Sequence, residues 1–90
     1  MQRTVLVVDD ERNMRMVVRM TLEEAGYRVL EAERAEEAIA LLQDPDLDVV
    51  LSDLKMPGMS GEELIAHCDQ ERPELPVIVM TTSGVMPPPP

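Results

Sequence analysis

Four short runs dominated by Val, Leu and Ile recur along the chain, at residues 4–8, 27–32, 48–52 and 76–80, and a stretch with helical apolar spacing separates each from the next. That alternation constrains the fold more than any other feature, because parallel neighbouring strands need a crossover between them, usually a helix. The run from Thr4 to Val8 has no polar alternation and reads as a strand buried on both faces, as in a parallel sheet. From Glu11 the period changes: Met14, Val17, Val18, Leu22 and Ala25 recur every three or four residues, and Gly26 follows as a left-handed helix cap. Tyr27 to Ala32 is a second, more polar strand, and Ala35, Ala38, Ile39 and Leu42 predict a second helix that stops before Asp44 and Pro45. Asp48 to Ser52 is a third strand. Ser60 and Glu63 have the spacing of a capping box for a third helix, which carries Leu64, Ile65 and Cys68 inward and ends near Pro73. Pro76 to Met80 is a fourth buried strand, with proline tolerated at its first position. The order is βαβαβαβ, which implies right-handed crossovers and a parallel sheet with helices on both faces.

In open sheets of this kind a ligand sits beyond the carboxyl ends of the strands. Three of the four strands end in reactive groups: the first in Asp9 and Asp10, the third in Asp53, the fourth in Thr81, Thr82 and Ser83. Carboxylates brought together repel, and a hard divalent cation with oxygen ligands relieves that repulsion. Magnesium keeps several waters and suits one or two carboxylates, a backbone carbonyl and a phosphate oxygen. A carboxylate can itself be the nucleophile in phosphoryl transfer. Asp53 is the candidate, standing alone at the end of a central strand, while the Asp9 and Asp10 pair faces the metal and the Thr81 hydroxyl donates to a phosphate oxygen.

The stretches Val5 to Glu11, Leu51 to Gly61 and Pro76 to Thr81, at this spacing, resemble the receiver domain of two-component response regulators, most of all those attached to transcriptional activators. The resemblance covers about residues 4–84. It implies a three-layer α/β/α, flavodoxin-like doubly wound sheet of strand order 2-1-3-4, lacking the fifth strand and last two helices of such a domain, with residues 85–90 a proline-rich tail or linker. It further implies that Asp9, Asp10 and Asp53 hold Mg2+ together with the backbone carbonyl of Lys55. Asp53 would be the phosphoacceptor and Thr81 the hydroxyl that moves toward the phosphoryl group. The implied donor is a phosphohistidine on a sensor histidine kinase, and transfer is partly self-catalysed, so the chain is a signalling phosphoacceptor rather than an enzyme acting on a separate metabolite. A lysine at the end of a fifth strand and an aromatic switch residue, both expected from the resemblance, have no counterpart here.

The remaining composition narrows the surroundings. A formal charge of -10 leaves no cluster of Lys and Arg for a nucleic-acid backbone. Cys68 is the single cysteine, which excludes an intramolecular disulfide and fits a reducing compartment, the cytoplasm. No apolar run approaches the roughly 18 residues of a membrane span, and the first strand is too short for a signal-peptide core. His67, a lone histidine on a helix, reads as a surface residue, and the methionines read as packing. Without a fifth strand the fourth becomes a sheet edge, and the expectation is a homo-oligomer formed by edge pairing or exchange of an element. The rival reading is a receiver-shaped oligomerisation module that does not depend on phosphorylation. A phosphatase of the haloacid-dehalogenase type would need a second acid two residues beyond its nucleophile, where this chain has Lys55.

Overall fold

The computed structural model describes residues 2–53 and 61–80. Strand β1 (Thr4–Val8) leads to helix α1 (Arg12–Glu24), β2 (Arg28–Ala32), α2 (Ala35–Leu41), β3 (Leu47–Asp53), α3 (Gly61–Glu71) and β4 (Val77–Met80). All four strands run parallel in the order β2-β1-β3-β4. The predicted alternation and the 2-1-3-4 order are therefore what the chain forms. The capping box assigned to Ser60 lies outside the described residues.

Burial explains the strand sequences. Every residue of β1 is buried, because the strand has neighbours on both sides and helices on both faces, so alternation would place a polar group in the core. Leu6 and Val8 pack with Ala38 of α2, with Leu42 just past its end, and with Leu64 and Cys68 of α3. Val5 and Val7 point the other way and are buried on the face that α1 covers. β2 is an edge strand, which accounts for its polar character: Leu30 and Ala32 join the core while Arg28 and Glu31 stay exposed.

The connections that lead into β3 are tied by side chains. The Asp48 carboxylate accepts the Thr4 N–H at 2.7 Å, where the β1–β3 ladder shifts register between Thr4 and Val5. Arg72, just past α3, donates to the carbonyls of Leu42 at 2.9 Å and Asp44 at 3.0 Å, and to the Glu74 carboxylate at 2.8 Å. The end of α3 thereby holds the turn from which β3 starts. Pro76 needs no N–H of its own at the mouth of β4, since the contact there is made by its carbonyl, which accepts from Val50 at 3.0 Å.

Helix α1 departs from expectation on one flank. Met14, Val18 and Leu22 are half-buried, but Val17 is 55% exposed, with Met16 at 42% and Met20 at 57%. Val17 lies on the flank opposite Arg15 and Arg19, which turn toward β2, and nothing among the described residues packs over that side. The helix ends where predicted: Gly26 has φ +99, its N–H bonded to the Glu23 carbonyl at 3.0 Å. A Cβ at Gly26 would meet no heavy atom within 4 Å, so its replacement by Ala adds backbone strain and no clash. We expect Gly26→Ala to lower stability by about 1 kcal/mol, the scale of an L-residue forced into left-handed backbone, and Gly26→Asn by less. Urea unfolding of the three proteins checks this.

Candidate metal and phosphoacceptor site

The β1–β3 register pairs Val8 with Ser52. One step further along both strands stand Asp9 and Asp53, level across the ladder and on the same side of the pleat. Asp53 is the last residue of β3 rather than the first of the following loop, so its backbone is held in the sheet. Its residue is 5% exposed, that of Asp9 0%, and Asp10 is exposed at the rim. One carboxylate oxygen from each of the three lies within 4.8 Å of the others.

Asp9 is restrained at three points. Its N–H continues the β1–β2 ladder by donating to the Ala32 carbonyl at 3.1 Å, its carbonyl accepts from the Arg15 guanidinium at 2.8 Å, and its Oδ1 accepts the Glu11 N–H at 2.9 Å. Oδ2 is buried and has no hydrogen-bond partner among the described residues. Burial pushes the Asp9 carboxyl above its ordinary pKa; the Glu11 N–H opposes this, and the charges of Asp53, Asp10 and Glu11 add to the rise. A buried carboxylate oxygen without a donor, beside two more carboxylates, is an arrangement that a cation with oxygen ligands completes.

Of the residues singled out in the sequence, Asp9, Asp10 and Asp53 come together. Lys55 and Thr81 lie outside the described residues. Arg12 is exposed at the start of α1, and His67 is half-buried on α3. Cys68 is fully buried in the core, where desolvation, with Asp69 and Glu71 adding, raises its thiol pKa and keeps it protonated. Sequence reasoning missed Arg15 and the Glu11 N–H. The first sits at the margin of the α1 apolar stripe, where an arginine reads as an ordinary surface residue. The second is a backbone group with no signature.

A carboxyl whose pKa is raised on folding favours its protonated form in the folded state, so it costs stability above the folded pKa, and the cost disappears as pH falls through that value toward the unfolded one. In EDTA-treated protein, Asp9→Asn should therefore raise the melting temperature at neutral pH. It should also flatten the gain in stability that the unaltered chain shows on acidification into the upper carboxylate range. Added Mg2+ should then stabilise the unaltered chain more than the variant. Thermal melts from pH 4 to 8 measure all three.

Known proteins share this arrangement of strands. The family model described as the response regulator receiver domain matches residues 5–87. The chain is 39% identical over 84 residues to the phosphate regulon transcriptional regulatory protein PhoB of Pseudomonas aeruginosa, covering 91% of this chain and 37% of that protein. It is 43% identical over 82 residues to the DNA-binding transcriptional regulator NtrC of Salmonella typhimurium, covering 90% of this chain and 18% of the relative. The chain thus spans well under half the length of these regulators. Among solved structures, the response regulator TrrA of Thermotoga maritima in complex with Mg(2+)-BeF superposes with a TM-score of 0.85 at 34% identity, over 93% of this chain and 72% of that one. TrrA in complex with the histidine kinase ThkA gives the same score and identity, over 94% and 72%. With the strand order, the level acidic residues and these likenesses in agreement, the chain belongs to the response regulator receiver domain family.

Proposed function

We propose that the chain is the phosphoacceptor of a two-component system, taking a phosphoryl group from a phosphohistidine of a sensor histidine kinase onto Asp53. The observation that carries this reading is the set of three carboxylates at the strand ends, with Asp9 Oδ2 buried and lacking a donor among the described residues. In the transfer an Asp53 oxygen attacks phosphorus, a P–O bond forms and the P–N bond to the histidine breaks. Asp9, Asp10 and Asp53 would hold Mg2+ with the Lys55 carbonyl, and the ion would neutralise charge on the phosphoryl oxygens. β3 fixes the approach of Asp53, while burial around Asp9 keeps competing water away. The Thr81 hydroxyl donates to a phosphoryl oxygen and signals its arrival. The kinase complex and the Mg(2+)-BeF complex of TrrA support this assignment by likeness.

Because the pocket positions the nucleophile itself, transfer is partly self-catalysed and a small phosphoryl donor suffices. Residues 1–84 form the receiver unit in this reading and 85–90 a proline-rich tail. The compartment it implies is the cytoplasm, and its acidic surface leaves nucleic-acid contact to other polypeptide. We expect intact-mass spectrometry with acetyl phosphate and Mg2+ to show one phosphoryl adduct on the unaltered chain and none on Asp53→Asn. A folded chain without the adduct would refute the reading.

Exposed apolar groups support a further element of the proposal. Ile78 at 55% and Val79 at 39% stand on opposite faces of β4, the edge of the described sheet, and Val17 and Met20 are exposed on α1. Copies of this chain associate through that edge, covering unpaired backbone groups and apolar side chains together. We expect light scattering over a concentration series to show mass rising above 10.1 kDa; a constant monomer mass overturns it.

A further inference from the structure

The exposed member of the acidic cluster, Asp10, has no hydrogen bond from any described residue to hold its carboxylate, so its position is inherited from its backbone. That backbone begins at the Asp9–Asp10 peptide, whose carbonyl is the acceptor of Arg15 at 2.8 Å. Peptide planarity makes the two ends of this unit move together: fixing the Asp9 carbonyl fixes the Asp10 N–H and the direction in which the chain leaves it. Arg15 is itself anchored. Its side chain is 14% exposed, and its Nε meets Glu31 Oε1 on β2 at 3.2 Å. The other Glu31 oxygen forms an ion pair with the Arg19 guanidinium, its Nε at 3.4 Å, and Arg19 also pairs with Glu23 at 3.6 Å. A guanidinium is a planar fork that can grip two acceptors in fixed directions, here a carboxylate on β2 and the carbonyl that leads into the acidic pair.

We propose that Arg15, braced by Glu31, is a positioning residue for the cation site: it sets the Asp9–Asp10 peptide so that both carboxylates converge with Asp53. This rests on the functional reading above. The alternative role for the same contacts is to dock α1 on β2 with no bearing on the site. Two consequences separate them. In metal-free protein, loss of the Arg15 donor frees the Asp9 carbonyl, and the Glu11 N–H held by Asp9 Oδ1 opens more often. In the presence of metal, an acidic pair that must be ordered on binding takes the ion more weakly, whereas the bound state, once formed, is the same.

The test uses Arg15→Met, which keeps the stem of the side chain, together with Arg15→Lys and Glu31→Gln. Calorimetric titration with Mg2+ should give a dissociation constant about tenfold weaker for Arg15→Met, the lower range for groups that orient a metal ligand. Arg15→Lys, with one ammonium in reach of the carbonyl, should recover part of the loss, and Glu31→Gln should shift affinity in the same direction by less. Hydrogen exchange in EDTA should accelerate at the Glu11 amide but not across the core strands. An unchanged Mg2+ constant in Arg15→Met with a lower melting temperature overturns the inference and leaves helix docking. If Arg15→Met does not fold, an unchanged constant in folded Glu31→Gln overturns it equally. An unaltered chain that binds no Mg2+ removes the functional reading, and this inference with it.

Discussion

The pairing of β1 with β3 is the constraint on which the rest of this molecule depends. Val8 opposite Ser52 brings Asp9 level with Asp53. A slip of one residue would turn one of the two to the opposite face and dissolve the cluster. The register is specified by burial: Leu6 and Val8 on one strand and Val50 on the other must all face the α2–α3 layer. The same apolar demand that builds the core thus aligns the acids, and the local shift between Thr4 and Val5 is absorbed at the far end of the sheet by the Asp48 carboxylate.

The cost of the arrangement is concentrated at Asp9. A carboxylate with no solvent exposure is costly to ionise, and the fold offsets only part of this through the Glu11 N–H. Asp10 at the rim avoids the penalty by staying in water. Asp9 is thereby the poorly solvated member of the cluster, the one that gains most from a cationic partner.

The two faces of the sheet are not equally covered. α2 and α3 cover one side over a continuous core and leave Val79 exposed at its β4 edge, while α1 covers β1 and β2 on the other and leaves Val17, Ile78 and the methionines of its outer flank in contact with solvent. Contiguous exposed apolar surface of this kind marks places where proteins meet other polypeptide. Ile78 lies two residues before Met80, the β4 partner of Asp53, so this exposed surface adjoins the strand ends that carry the carboxylates.

Much of this was legible in the residue order. Unalternating strands, helical periods and the Gly26 cap specified seven elements and their order, because each is a local pattern with a local physical cause. Acids directly after two buried runs marked the strand ends that carry the site. Other features depend on contacts far apart in the chain. The exposure of Val17 was hidden because a helical period identifies a stripe but not how wide a neighbour covers it. Arg15 and Glu31 were hidden because their meaning lies in a backbone carbonyl and a neighbouring strand, neither of which leaves a mark at residue 15. The sequence by itself determined which segments become strands and helices and which acids end them, since propensity and periodicity act over a few residues. Register, the burial of Asp9 and the clamp on its carbonyl were decided by tertiary structure, since they arise only when β1, β2 and β3 lie side by side.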